Sequence, residues 1–277
     1  MNVAGLRFDV NLSILFTELP LLERPAAAAA AGFDAVELWW PFTSPTPGRD
    51  ETSALQRALE AAGTALVGLN FAAGDMPGGD RGLLSIPDRA EEFRANIGCA
   101  VDFAGRLGCR TLNALYGNRI AGVDPAQQDA LAVDNLTRAA TAAERIGAVV
   151  VLEALNTAEN PGYPWTTAEA VLAVLDRVQD SSGVQLGFLC DVYHLFRGGH
   201  DAVAALAAYG SRIRHVQIAD VPGRHEPGSG EVNFAAVFDA LRAQEYGGFV
   251  GLEYKPTSTS AQSFGWLAQA RGAEGTR

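Results

Sequence analysis

Eight times along the chain, a short run of β-branched, aromatic and other apolar residues is followed by a longer Ala-, Leu- and Arg-rich stretch with helical spacing. No other feature limits the available folds as strongly. The apolar runs cover 6–12, 35–39, 65–70, 111–115, 148–153, 185–190, 213–218 and 249–253. The helical stretches cover about 19–31, 51–62, 88–107, 125–146, 167–180, 200–209, 233–245 and 261–270. Gly32, Gly63, Gly108 and Gly147 each follow a helical stretch, where a chain commonly leaves a helix through the left-handed conformation. Eight βα units within 277 residues, with no Pro/Gly/Ser-rich linker, point to one α/β domain over 1–277, a single (β/α)8 TIM barrel. The rival fold, an open doubly wound sheet, carries a glycine-rich phosphate turn after its first strand, and Asn11-Leu12-Ser13-Ile14 has no glycine.

Charge and cysteine usage exclude several function classes. Lys+Arg total 21 against 32 Asp+Glu, a net charge of −11, and the arginines are scattered while Lys255 is the single lysine. Such a surface repels nucleic acid and anionic membranes. Cys99, Cys109 and Cys190 are odd in number and lack CxxC spacing, against a disulfide framework or a cysteine zinc site. The amino terminus lacks the basic-then-apolar pattern of a secretory signal, and no apolar run approaches the roughly 20 residues of a membrane span. The alanine run 26–31 is a helix former instead. A soluble, cytoplasmic protein is expected.

In a barrel of this kind the active site lies at the carboxyl ends of the strands. There the chain places Glu153 after Val149-Val150-Val151-Leu152, Asp191 after Phe188-Leu189-Cys190, Gln217 in His215-Val216-Gln217-Ile218, and Glu253 after Val250-Gly251-Leu252. A carboxylate closing an apolar strand costs several kcal/mol to bury unless a cation or hydrogen bonds compensate it. A divalent metal ion is the natural counter-charge, and a carboxylate and amide oxygen set favours Mg2+ or Mn2+. The expected ligands are Glu153, Asp191, Gln217 and Glu253.

Around them, His194 follows Asp191 closely enough to point into the same pocket and contact a substrate hydroxyl. His215 lies one layer deeper than Gln217 on the same strand face, either as a buried histidine satisfied by a hydrogen bond or as a support for the metal site. His225 lies in a loop that could cover the site, and His200 sits at an expected helix start on the surface. Asn11, Glu37, Asn70 and Asn113 at the other strand ends are candidates for orienting a polyhydroxylated or keto-acid substrate. Trp39 and Trp40 could wall the pocket or pack elsewhere. The glycine-rich segment 74–82 reads as a lid carrying Arg81 toward an anionic substrate.

Several segments together resemble the hydroxypyruvate isomerase family, a branch of the xylose-isomerase-like TIM barrels. They are Asn11-Leu12-Ser13 with Phe16-Thr17-Glu18, Ala30-Ala31-Gly32-Phe33-Asp34-Ala35-Val36-Glu37, Leu152-Glu153-Ala154-Leu155-Asn156-Thr157, His215-Val216-Gln217-Ile218-Ala219, Arg224-His225-Glu226-Pro227, Gly230-Glu231-Val232-Asn233-Phe234, and Gly251-Leu252-Glu253-Tyr254-Lys255-Pro256. The resemblance spans nearly the whole chain in order. It implies that Glu153 and Glu253 are the paired proton acceptor and donor and that the four residues named above hold the metal. It also implies that His194 and Arg224 touch substrate.

The implied reaction is aldose–ketose isomerisation of a small 2-oxo acid, such as hydroxypyruvate to 2-hydroxy-3-oxopropanoate, through an enediolate that the metal stabilises. A 2-oxo-tetronate isomerase or a ketose 3-epimerase would use the same pocket. The loop 159–165 differs in detail from the family's, which leaves the choice among small 2-oxo acids and short ketoses open. A homo-oligomer is a further implication. An endonuclease IV-like relative would need a multi-zinc cluster richer in histidine than four residues supply, together with a basic groove. A non-enzymatic sugar-binding barrel would leave the strand-end acids unexplained.

Overall fold

A computed structural model describes residues 1–272. All eight predicted runs become strands: β1 (Arg7–Asn11), β2 (Ala35–Leu38), β3 (Ala65–Asn70), β4 (Thr111–Asn113), β5 (Val149–Glu153), β6 (Gly187–Asp191), β7 (Ile213–Ile218) and β8 (Phe249–Leu252). Every neighbouring pair is parallel, and the sheet closes where Arg7 to Val10 pair with Phe249 to Leu252. The result is a (β/α)8 barrel. β3 and β7 match the expected bounds, and the other strands differ from them by one or two residues at an end.

The helices are α1 (Arg24–Ala30), α2 (Arg49–Ala62), α3 (Ala90–Leu107), α4 (Pro125–Glu144), α5 (Ala168–Ser182), α6 (Val192–Arg197), α7 (Ala202–Tyr209), α8 (Phe234–Ala243) and α9 (Gly265–Gly272). Short 3-10 turns at Leu21–Glu23 and Pro87–Arg89 replace the first turn of the helices expected at 19–31 and 88–107. α7 starts at Ala202 rather than at His200, because the Asp201 side chain accepts from the Ala204 amide and caps it there. α6 was not anticipated: six residues are too few to show helical periodicity. Gly63 and Gly108, both at φ +69°, terminate α2 and α3 in the left-handed conformation.

Strand alternation sorts the side chains into two populations. Phe8, Val10, Val36, Leu69, Leu112, Val150, Leu152, Phe188, Val216, Val250 and Leu252 form the core with the helices, at 4% exposure or less. Burial of each such side chain is worth about 1.5–3 kcal/mol, so this shell holds the barrel closed. The intervening residues are largely polar and also buried: Asp9, Asn11, Glu37, Asn70, Asn113, Glu153, Asp191, His215, Gln217 and Glu253. A polar interior stabilises nothing unless its members pair with one another. Room for it comes from two glycines. A Cβ at Gly251 would lie 2.8 Å from Glu37 Oε1, and one at Gly68 would lie 3.1 Å from Glu37 Oε2. Among the described residues no helix is long and apolar enough to cross a membrane.

Candidate active site

At the carboxyl ends of the strands lies a cavity of about 480 Å³, whose lining includes Glu153, Glu253, His194, Arg224, Asn70 and Arg81. The strand-end expectation therefore brings both glutamates and four of the expected substrate contacts to one place. Asp191 and Gln217 are buried and do not line the cavity, and Arg224 stands beside Asp191. Its Nη2 is paired with Glu253 Oε2 and sits 3.6 Å from Asp191 Oδ2. A protein cation thus stands among acids for which the sequence offered no counter-charge at the strand ends. It arrives from the loop after β7. There the buried Asp220 carboxylate accepts four backbone N–H groups, from Val221, Gly228, Gly230 and Val232, and holds Arg224 at φ +59°.

Each acid is oriented by a separate device. Asp191 ends β6 and also caps α6: its Oδ1 accepts from the His194 amide, leaving Oδ2 for the site. Asn113 Nδ2–H donates to Glu153 Oε2 at 3.1 Å. Glu253 Oε1 accepts from Trp39 Nε1 at 2.7 Å, Asn11 Nδ2 at 2.9 Å and Gln217 Nε2 at 3.3 Å. The tryptophan wall is half realised: Trp39 lines the cavity, whereas Trp40 turns away to the Ser44 carbonyl and packs on Phe42. His194 Nδ1 accepts from the Asn156 amide at 3.1 Å, which fixes its proton on Nε2, 3.8 Å from both Glu153 Oε1 and Asp191 Oδ2. Burial, and then Arg224 and Arg81, push its pKa well below the usual value, so it stays neutral.

Burial also pushes the acids up. Asp191 rises to about 6 and Glu253 to about 7, each held back by Arg224, and Glu153 rises well above the carboxylate range under burial, Asp191 and Glu253. An added cation would reverse these shifts. Two buried side-chain oxygens beside these acids, Gln217 Oε1 and Asn113 Oδ1, have no hydrogen-bond partner. Ligand atoms of Glu153, Asp191 and His194 lie within 4.8 Å of one another. Unpartnered amide oxygens next to converging carboxylates are what a divalent cation requires, so the residues present fit one.

Four expected substrate contacts lie elsewhere. Glu37 does not face the cavity; it is 3% exposed beneath it, accepting from His215 Nε2 at 2.6 Å, Gln217 Nε2 at 2.8 Å and Asn11 Nδ2 at 3.0 Å. Asn11 and Asn113 likewise serve the glutamates. His225 does not line the cavity either; its Nδ1 hydrogen-bonds the Lys255 carbonyl at 2.7 Å. His215 supports Gln217 through Glu37, and the adjacent Glu37 carboxylate raises its pKa to about 9 against the effect of burial. Arg81 does line the cavity, with Nε on Asn160 Oδ1 at 2.5 Å and Nη1 on the Met76 and Asp80 carbonyls.

Residues that sequence reasoning missed include Asn160, Lys255 and Glu159. The Glu159 carboxylate accepts from Tyr193 Oη at 2.7 Å and Asn156 Nδ2 at 3.0 Å. These bonds, with Arg224 and Lys255, hold it below the usual range despite burial. Their only sequence signal was proximity to a strand end.

The sequence matches the xylose isomerase-like TIM barrel family model over residues 25–270. It is 59% identical to a Streptomyces coelicolor protein named "Putative hydroxypyruvate isomerase", over 99% of this chain and all of that one. It is 35% identical to 2-oxo-tetronate isomerase of Cupriavidus necator (94% of this chain, 97% of the other) and 34% identical to hydroxypyruvate isomerase of Escherichia coli (95% and 98%). A crystal structure described as AP endonuclease, family 2, from Brucella melitensis has a TM-score of 0.85 at 34% identity, covering 95% of this chain and 98% of that one.

Proposed function

Because the chain belongs to the xylose isomerase-like TIM-barrel family and is homologous to hydroxypyruvate isomerases, we propose that it isomerises hydroxypyruvate to 2-hydroxy-3-oxopropanoate, with Glu153 and Glu253 moving the proton. The observation that carries this is the pair of buried glutamates, from β5 and from the end of β8, facing one cavity. Two carboxyl groups on one cavity can serve as the base that removes a proton and the acid that returns it.

One glutamate takes a proton from the hydroxymethyl carbon, leaving an enediolate. The other returns a proton to the former carbonyl carbon, while the hydroxyl oxygen loses a proton and the former carbonyl oxygen gains one. No atom is added or lost. His194, neutral with its proton on Nε2, is oriented to donate to a substrate oxygen without introducing charge. Glu153, Asp191, Gln217 and Glu253 would hold a divalent cation, Mg2+ or Mn2+, whose bound form supplies Lewis-acid stabilisation of enediolate charge. Arg81 and Asn70 lie on the cavity wall as further substrate contacts.

A four-carbon 2-oxo acid is the second reading. The cavity of about 480 Å³ is larger than a seven-heavy-atom acid needs, and one relative is named a 2-oxo-tetronate isomerase. The test is to assay Mn2+-loaded protein against C3 to C6 2-oxo acids and ketoses in D2O, with products identified by NMR. Deuterium appearing on the adjacent carbon of a hydroxy-aldehyde product supports isomerisation. Inversion at a single carbon of a ketose, with no 2-oxo acid consumed, rejects it in favour of a 3-epimerase.

A further inference from the structure

We propose that Lys255 forms a carboxylate-binding subsite at the cavity rim, making the site selective for anionic 2-oxo acids over neutral ketoses. The proposal rests on the function above, which supplies the anionic substrate.

Three cationic side chains line the cavity: Arg81, Arg224 and Lys255. Their charges are not equally free. Arg224 is committed to Glu253 and Asp191. Arg81 spends Nε on Asn160 and Nη1 on two backbone carbonyls. The Lys255 ammonium has no hydrogen bond or ion pair with any described residue; Glu159, on which its charge acts, already has both carboxylate oxygens accepting from Tyr193 and Asn156. An incoming carboxylate therefore meets a fully uncommitted ammonium, with three donor hydrogens, at Lys255, whereas Arg81 has only its Nη2 hydrogens without a partner among the described residues.

The backbone holds this lysine in place even though its side chain is free. Beyond β8 the chain keeps its alternation: Glu253 and Lys255 line the cavity, while Tyr254 between them is fully buried beside Phe264 and Ser263. The Lys255 amide donates to the Arg224 carbonyl at 2.6 Å, and the Lys255 carbonyl meets His225 Nδ1 at 2.7 Å. Lys255 is thus fixed at Cα, two residues from a proposed reacting glutamate, with an exposed side chain on the cavity lining. Removing the substrate's carboxylate removes what Lys255 would hold; Arg81, the other cavity cation with no acidic partner, has its Nε and Nη1 already tied to Asn160 and two backbone carbonyls.

The test compares Mn2+-loaded wild type, Lys255→Met and Lys255→Arg. Hydroxypyruvate binding is measured by titration calorimetry, and turnover is measured on hydroxypyruvate and on dihydroxyacetone, in which CH2OH replaces the carboxylate. Losing a charge-assisted hydrogen bond should raise Kd and KM for hydroxypyruvate about 10- to 100-fold in K255M. kcat should stay within about threefold, K255R should recover most of the affinity, and the constants for dihydroxyacetone should be nearly unmoved. Wild-type KM in K255M, or equal losses on both substrates, overturns the subsite. Wild-type protein that binds hydroxypyruvate without isomerising it refutes the proposed reaction and leaves the subsite to be judged by the Kd comparison. A wild type that does not bind hydroxypyruvate overturns both.

Discussion

Replacing Glu37 by Gln should weaken binding of the proposed metal ion without changing any of its proposed ligands. The Glu37 carboxylate is 3% exposed and can only accept, so it compels Gln217 to present its NH2 group at 2.8 Å. That leaves Gln217 Oε1 as a buried oxygen without a partner, free for a cation. A glutamine at position 37 has one accepting and one donating end, and neither orientation satisfies all the neighbours. With its NH2 toward His215 Nε2, the histidine must give up its proton there. With its NH2 toward Asn11 and Gln217, the Gln217 amide turns over and its oxygen is consumed. Either way one charge-assisted hydrogen bond is lost, about 1.5–3 kcal/mol. At about 2–4 °C per kcal/mol for a chain of this size, the Tm should drop by roughly 3–12 °C. Misorienting a ligand through its supporting group typically costs about 10- to 100-fold in metal affinity. Calorimetric Mn2+ titration and thermal scans of E37Q in EDTA measure the two effects separately. If E37Q loses stability but binds Mn2+ within about twofold of wild type, Glu37 is only structural and the Gln217 orientation argument is wrong.

Three other outcomes are expected. Glu153→Gln and Glu253→Gln should each reduce turnover by about 10²- to 10⁴-fold with an unchanged far-UV circular dichroism spectrum; if both keep more than about 5% of activity, the proton-transfer assignment fails. Glu253 and Asp191 have folded pKa values raised to about 7 and 6, so the folded state retains protons that the unfolded chain releases near pH 4. The stability from these groups is complete below that pH and lost as pH rises through 6 to 7. The Tm of metal-free protein should therefore fall over this interval, less steeply in Glu253→Gln, and a wild-type Tm that does not fall counts against the burial argument. Gly82→Ala would place a Cβ 2.0 Å from the Leu115 carbonyl oxygen at φ +112°. It should cost at least about 2 kcal/mol and raise KM by displacing Arg81; a wild-type Tm would mean the loop accommodates it freely.

Much of this site could be read from strand ends alone. Glu153, Asp191, Gln217 and Glu253 stood out because each is polar in an otherwise apolar run, and in a barrel such positions face inward at the carboxyl end. Glu37 obeyed the same pattern and was nonetheless placed one layer too high. The register between β2 and β3 shifts at Val36/Glu37, setting Glu37 opposite Gly68, and no single-strand pattern shows how deep a residue sits in a closed sheet. Arg224, Glu159 and Asn160 come from loops. Their positions depend on caps and turns, such as the Asp220 carboxylate gathering four amides, which leave no periodic trace. α6 escaped notice because it is set by one capping bond from Asp191 rather than by an apolar stripe.

The order of residues along the chain determined the eightfold barrel and which side chains point into it, because alternation and helical spacing are steric consequences of neighbours a few positions apart. Only the closed structure decided which charges meet. Asn11 reaches Glu253 across 242 residues, and His215 reaches Glu37 across 178. Electrostatic compensation falls off over a few ångströms of space and is indifferent to separation along the chain, so it was settled only where the barrel brought its first and last strands together.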